Sequence, residues 1–258
     1  MTKSSINQVA ARGFERAGAE YERGRPGYAD AAIALLVAEL GVGPERTIVD
    51  LAAGTGKLTR ALIGTGARVI AVEPVAGMRA QLVGAVPQAE VLEGTAEAIP
   101  LPDSAADAVA VAQAFHWFDA PRAATEIHRV LAPGGGLGVV WNEWDESVDW
   151  VARMQEMVHA YAGEAPRAAT TQWPRELEAT GLFSDLSERD FAHVVTGDLD
   201  NLEARISSVS YISALEDHER EHVLSRVRAL VATHPQTRDR SRLPMPYSTR
   251  VAWCRARG

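Results

Sequence analysis

The sequence predicts an α/β fold: a parallel sheet with helices on both faces, followed by a helical cover that carries two further strands. Three observations predict it. Short β-branched or apolar runs recur through the first half of the chain, at 47–51, 68–73, 90–93, 107–112 and 137–142. Segments with apolar residues at helical spacing separate most of them. The runs are also almost continuously apolar, as strands buried on both faces require.

The elements follow in order. Residues 26–40 place Pro26 and a capping Asp30 ahead of Ile33, Leu36, Val37 and Leu40, with Gly41 as the stop, which is an amphipathic helix. Thr47 to Leu51 breaks into Gly54-Thr55-Gly56 and then into a helix from Lys57 to Ile63. The same order repeats as a strand over 68–73, Pro74 as helix opener and a helix from Val75 to Val83. After the strands at 90–93 and 107–112, Pro121 opens a helix whose Ile127, Val130 and Leu131 share one face. Pro133-Gly134-Gly135-Gly136 stops that helix before a strand from Leu137 to Asn142. Beyond 142 helical patterns dominate. Val148, Val151, Met154, Val158 and Tyr161 mark one helix, Leu202, Ile206, Val209 and Ile212 a second, and Val223, Leu224, Val227, Leu230 and Val231 a third. Strands are expected over 186–195 and, from the alternation of Thr249, Val251 and Trp253, at the end of the chain.

At 258 residues the chain has room for one large α/β domain, because single cores stop growing near roughly 250–300 residues. Hydrophobic residues at 47% and charged ones at 23% supply a full core. A formal net charge of −8, with acidic residues spread along the chain, argues against nucleic acid as a partner. The locally basic tail from Arg238 to Arg257 is interrupted by Leu243, Pro244 and Pro246 and reads as a solvated edge. No apolar stretch approaches the ~20 residues that span a bilayer, and the amino terminus lacks the apolar run of a secretion signal. Cys254 is the only cysteine, so no internal disulfide can form, and it reads as a buried strand residue without metal-ligand neighbours. A cytoplasmic protein without a membrane partner or a metal is expected.

In open parallel sheets ligands bind at the carboxyl ends of the strands, near the point where strand order reverses. Asp50-Leu51-Ala52-Ala53-Gly54-Thr55-Gly56 lies at such a place, and its glycines let backbone amides approach a ligand at a helix start. Alone, this turn is equally a tight strand-to-helix connection. Glu73 ends the next strand 19 residues beyond Gly54, where an acid can take both hydroxyls of a ribose; a surface glutamate before a proline is the competing reading. Together the two elements point to an adenosine-containing ligand.

These residues carry a resemblance. Asp50 to Thr59, Ala71-Val72-Glu73-Pro74, Glu93 to Leu101, Gln113-Ala114-Phe115-His116-Trp117-Phe118 and Leu131 to Gly136 resemble, in order, the motifs of the class I S-adenosylmethionine-dependent methyltransferases, especially the small-molecule, trans-aconitate methyltransferase-like group. Tyr21 with Arg25-Pro26-Gly27-Tyr28 looks like that group's amino-terminal cofactor cover, and Leu243 to Tyr247 like the approach to its final antiparallel strand. The resemblance implies a Rossmann-like, seven-stranded, mostly parallel sheet whose last strand is antiparallel. It makes 1–258 one methyltransferase domain: a cofactor cover at 1–40, a cofactor-binding core at 45–142, a helical substrate cover interleaved with a late strand at 143–235, and a terminal strand at 243–258.

The resemblance also implies the chemistry. The cofactor is S-adenosyl-L-methionine, S-adenosyl-L-homocysteine is the product and the acceptor is a small molecule. The turn with Asp50, Ala52, Gly54 and Gly56 would pass beneath the methionine part, Glu73 with Pro74 would hold the ribose, and Thr95, Ala96 and Glu97 would line adenine. Gln113 would face the methionine end, while Tyr21 and Arg25 would close over the cofactor, Arg25 as a partner for its carboxylate. Two departures stand out: Ala52 replaces a glycine common in the family, and Thr95 replaces an aspartate.

Methyl transfer from a sulfonium asks for alignment, exclusion of water and, for a hydroxyl, amine or carbon acceptor, a base. His116, after the fourth strand, is the candidate base, with a packed histidine as the alternative. Trp117, Trp141 and Trp144 suggest an aromatic wall for the sulfonium or an apolar acceptor, although core packing is the better explanation for each alone. Tyr211 is a candidate acceptor contact and otherwise a packing residue; His218, among acidic neighbours, reads as solvated. A carboxylate or hydroxyl oxygen is the expected methyl acceptor. Two other functions remain open at this point: cyclisation or rearrangement on the same fold with the cofactor not consumed, and cofactor binding without turnover. Oligomeric state is not legible.

Overall fold

Seven strands form from the apolar runs, and the helices fall between them. In the computed structural model, which describes residues 25–163 and 172–258, the strands are β1 Thr47–Leu51, β2 Arg68–Val72, β3 Glu90–Leu92, β4 Ala106–Ala112, β5 Leu131–Trp144, β6 Ser187–Gly197 and β7 Leu243–Arg255. They lie in the order β3-β2-β1-β4-β5-β7-β6, as a mostly parallel sheet with one antiparallel strand. β1 pairs in parallel with both β2 and β4, Asp50 standing opposite Ala71 on one side and Ala110 on the other. The chain therefore moves outward from β1 to β3 and returns to β4. That reversal puts the ends of β1 and β4 side by side at the switch point, where such sheets take their ligands.

Alternation along the strands divides the core into two layers. Ile48, Val69, Ala108, Ala110 and Val140 meet helices α1 (Asp30–Leu40) and α2 (Lys57–Ile63) in one cluster. Val49, Ile70, Val109, Val111 and Val139 belong to another, with α4 (Ala120–Val130) and α6 (Trp173–Ala179); in chain order α3 is Ala76–Ala85 and α5 is Asp149–His159. Both faces are buried, which is why these strands read as unbroken apolar runs. On β5 the close approach of α1 requires a glycine. A Cβ at Gly138 would overlap Leu36 Cδ1 and stand 2.9 Å from Leu40 Cδ1.

Among the described residues the chain forms two compact units, one from 27–142, 172–191 and 249–258, the other from 25–26, 143–163 and 192–248. The second unit has its own core, in which Trp150, Met154 and Val158 of α5 pack with Leu202 and Ile206 of α7 (Leu199–Ser207) and Val223 and Val227 of α9 (Asp217–Thr233). Arg228 on α9 binds Glu203 on α7 at 2.6 Å and Glu221 on its own helix at 2.6 Å. No helix among the described residues is long and apolar enough to cross a membrane.

Several boundaries differ from expectation for identifiable reasons. Asp30 is the first residue of α1 rather than its cap, because the extended Ala29 has its amide tied to Thr249 Oγ1 at 3.2 Å. β5 starts at Leu131, not Leu137: pairing of Leu131 with Ala106, across a register shift, draws the Pro-Gly-Gly-Gly segment into the strand. The expected helix through Leu202 and Ile212 is two helices, α7 and the short α8 (Ser210–Ser213), since the Ser208 hydroxyl bonds back to the Arg205 carbonyl at 2.7 Å. Helix α6 was not expected; Pro174 in its first turn and Gly181 beyond its end are the signals that mark it.

Candidate active site

At the end of β1 Asp50 is 0% exposed, a position that no carboxylate occupies without compensation. Its Oδ2 accepts a 2.5 Å hydrogen bond from Thr59 Oγ1, on the first turns of α2, while Oδ1 has no hydrogen-bond partner among the described residues. Burial pushes its pKa up to about 7; the Thr59 bond lowers it and nearby Glu73 raises it. A buried acceptor atom without a donor is one of the few features of a folded chain that ask for a ligand or a water.

Beyond Asp50 the chain turns sharply, with Ala52 at φ 57°, Gly54 at 58° and Gly56 at 86°. Glycine adopts this conformation freely, whereas alanine does so at a cost of roughly 1–2 kcal/mol. The departure from the family pattern at position 52 is thus a strained backbone as well as an added methyl. Ala52→Gly should stabilise the protein by about 0.5–1 kcal/mol, net of the entropy glycine adds to the unfolded chain, and raise Tm by ~1–4 °C in a thermal melt. A Cβ added at Gly54 would meet only Met78 Sδ, at 3.8 Å, so the backbone there is open to a ligand.

The turn is joined to the end of β2. Glu73, 3% exposed, accepts the Gly54 amide at 2.9 Å through Oε2 and the Val75 amide at 2.8 Å through Oε1. Burial raises its pKa, opposed by those two amides and by Arg79. Arg79, which the sequence did not single out, donates to the carbonyls of Glu73 (2.9 Å) and Pro74 (2.6 Å) and pairs with Glu93 at 2.6 Å. It pins the corner on which Glu73 is mounted. Each Glu73 oxygen keeps a lone pair beyond its amide, the capacity a ribose diol needs.

After β3, Thr95 pairs backbone to backbone with Ala98, and Ala96 is buried in the core. Glu97 Oε1 accepts the Asp119 amide at 2.9 Å, at the start of α4. Gln113, just past β4, has positive φ (59°) like Ala52 past β1, and is held by its amide on the Val140 carbonyl at 2.9 Å and by Nε2 on the Asn142 carbonyl at 3.1 Å. Strain in a residue other than glycine, on both adjacent strand ends, belongs with ligand-binding positions.

His116 is half-buried in the single 3-10 turn Phe115–Trp117, its ring 4.8 Å from that of Trp117. Trp141 is 4% exposed, 5.0 Å from Trp173, and its indole N–H has no hydrogen-bond partner among the described residues. Trp144 lies in the core of the other unit, stacked on Tyr247 at 4.3 Å with the Arg205 guanidinium 5.8 Å away. Tyr211, on α8, packs against that same core, and His218 is exposed in the first turn of α9. Arg25 reaches the Ser208 carbonyl at 3.4 Å, and Tyr21 lies outside the described residues. Burial pushes the Cys254 thiol up to about 12, so it has no reactive form near neutrality.

A glycine cradle with room beside Gly54, an acid with spare lone pairs and an unsatisfied carboxylate oxygen fit an adenosyl sulfonium ligand. With the reversal of strand order between β1 and β4, they place the protein among the class I methyltransferases. Residues 49–139 match the Methyltransferase domain family. An uncharacterized methyltransferase of Mycobacterium tuberculosis is 39% identical over 242 residues, 92% of each chain. In structure, a protein assigned as a type II methyltransferase from Anaeromyxobacter dehalogenans is similar at a TM-score of 0.64 and 22% identity, over 90% of this chain and 97% of that one. The [4+2]-cyclase SpnF is similar at 0.51 and 20% identity, over 91% and 85%. The chain belongs to the S-adenosylmethionine-dependent methyltransferase family.

Proposed function

We propose that the protein transfers the methyl group of S-adenosyl-L-methionine to an oxygen of a small-molecule acceptor, in the cytoplasm, at the ends of β1, β2 and β4. The observation that carries this reading is Glu73, a buried carboxylate fixed by the Gly54 and Val75 amides beside the glycine turn. When bound, the cofactor supplies an activated methyl on a cationic sulfur, so the chain itself needs no nucleophile. Glu73 takes the ribose hydroxyls. Asp50 and Glu73 together set a negative potential that favours the cation. Gln113 addresses the methionine end, while the Thr95-Ala96 backbone lines the base.

For the acceptor, two groups in the same unit as the cofactor site are suited. The Trp141 indole N–H is a buried donor in need of an acceptor, and a carboxylate or hydroxyl oxygen supplies one. His116 would accept the proton of a hydroxyl acceptor while the bound cofactor supplies the methyl group and leaves as the neutral thioether; a carboxylate acceptor needs no base. Trp117 beside His116 shields that step from water. The likeness to SpnF shows the fold and not the reaction.

Incubation with methyl-labelled cofactor and a panel of carboxylic acids and alcohols tests the reading: label in the acceptor supports it, and product formed without label contradicts it. For a hydroxyl acceptor, His116→Ala should lower kcat ~100-fold or more while leaving the dissociation constant of S-adenosylhomocysteine unchanged. Full turnover by that variant removes His116 as the base.

A further inference from the structure

One hydrogen-bond chain at the ends of β4 and β5 has its direction fixed by chemistry. The Ala29 amide donates to Thr249 Oγ1 at 3.2 Å, and the Thr249 hydroxyl donates to Asn142 Oδ1 at 2.5 Å. Asn142 Nδ2 donates to the Gly27 carbonyl at 2.8 Å, and the Asn142 backbone carbonyl accepts Gln113 Nε2 at 3.1 Å. Carbonyl oxygens only accept, so each side-chain amide has one orientation compatible with its neighbours. Gln113 must therefore direct its NH2 at Asn142 and keep its side-chain oxygen for another donor. Asn142 is 7% exposed and Thr249 is fully buried, so the bond between them is shielded from water, while the bonds to Gly27, Ala29 and Gln113 are part-buried.

The location gives the chain its meaning. Gln113 sits at the switch point in a strained backbone conformation that needs external support. Gly27 follows Arg25 by two residues, in the segment expected to cover the cofactor. An acceptor oxygen at the methionine end matches an ammonium group and not a carboxylate, which only accepts.

We infer that Asn142 is a positioning residue, holding the Gln113 amide and the Gly27 backbone together so that the Gln113 oxygen meets the ammonium of the cofactor's amino-acid part. The inference rests on the cofactor reading above and goes beyond it, since the sequence motifs do not include Asn142 or Thr249. Asn142→Asp keeps the shape and the Thr249 bond but turns an oxygen towards the Gly27 carbonyl. Thr249→Val cuts the relay between Ala29 and Asn142, and Thr249→Ser restores it.

Calorimetry of the full-length protein separates positioning from folding if two ligands are compared: S-adenosylhomocysteine, and 5′-methylthioadenosine, which lacks the amino-acid part. Asn142→Asp and Thr249→Val should each weaken the first by about tenfold and leave the second unchanged, with Thr249→Ser near wild type. Gln113→Ala should cost about as much, and its combination with Asn142→Asp no more: Asn142→Asp leaves the backbone carbonyl that holds Gln113 in place but displaces it through the Gly27 contact, so both variants act on the one contact between the Gln113 oxygen and the ammonium. Unaltered binding of S-adenosylhomocysteine, or equal loss of both ligands, overturns the inference while leaving the cofactor reading intact. A wild-type protein that binds neither ligand overturns both. Should Asn142→Asp not fold, the Thr249 pair decides by the same criteria.

Discussion

Glu73→Ala should weaken S-adenosylhomocysteine by ~100-fold or more in titration calorimetry. The side chain serves two structures at once, the ribose and the glycine turn. Removing it strands the Gly54 and Val75 amides, each bonded to a carboxylate oxygen and therefore a charge-assisted bond worth about 1.5–3 kcal/mol. The turn would lose its tie to β2 as well as the ligand its diol partner. Glu73→Gln is the informative companion. Its oxygen still serves one amide, but its NH2 is driven against the other, so binding should fall to an intermediate level, roughly tenfold below wild type. Wild-type affinity in the alanine variant would reduce Glu73 to a brace for the turn.

Asp50→Asn should move stability and binding in opposite directions. In the unfolded chain Asp50 titrates near its ordinary value of 3.8, whereas in the fold burial raises it to about 7. Between those values the native state holds a proton that the unfolded state has lost, so this residue's contribution to stability falls as pH rises from about 4 to 7 and is level above. Asparagine removes that dependence, and its oxygen can still accept the Thr59 hydroxyl. The variant should match wild type near pH 4 and melt several degrees higher at pH 8, a difference on the order of a few kcal/mol. Binding should show the reverse. At pH 8 the variant lacks the negative charge that faces the cationic ligand, so its affinity should fall about tenfold or more, while wild-type affinity rises with pH up to about 8. A lower Tm for Asp50→Asn at pH 8 would mean that the buried charge is matched inside the protein.

Much of the architecture was legible because its signals are local. Apolar runs buried on both faces, the punctuation of Gly54 and Gly56 and the acid at Glu73 are each written within a few residues, whereas the strand order depends on which strands pair across the sheet. What was missed depends on distant partners. Leu131 reads as helix and Pro133 to Gly136 as its stop signal until β4 offers them a register, and Asp30 reads as a cap until Thr249, far along the chain, takes the Ala29 amide. Glu97 lies in the segment that the resemblance puts along adenine, and the Asp119 amide, distant in sequence, takes one of its oxygens. Arg79 and Asn142 act on the site through backbone carbonyls, and carbonyls leave no trace in sequence. The strain at Ala52 was half visible: the missing glycine could be seen, the positive φ could not. Trp141 and Trp144, joined at first as one wall, belong to different hydrophobic cores.

A crystal of the full-length protein with S-adenosylhomocysteine tests the central claim most directly. Density for the nucleoside should lie over the turn from Ala52 to Gly56, with both ribose hydroxyls within hydrogen-bond distance of the Glu73 carboxylate. Nucleoside density at any other place, or a ribose with no contact to Glu73, would contradict it.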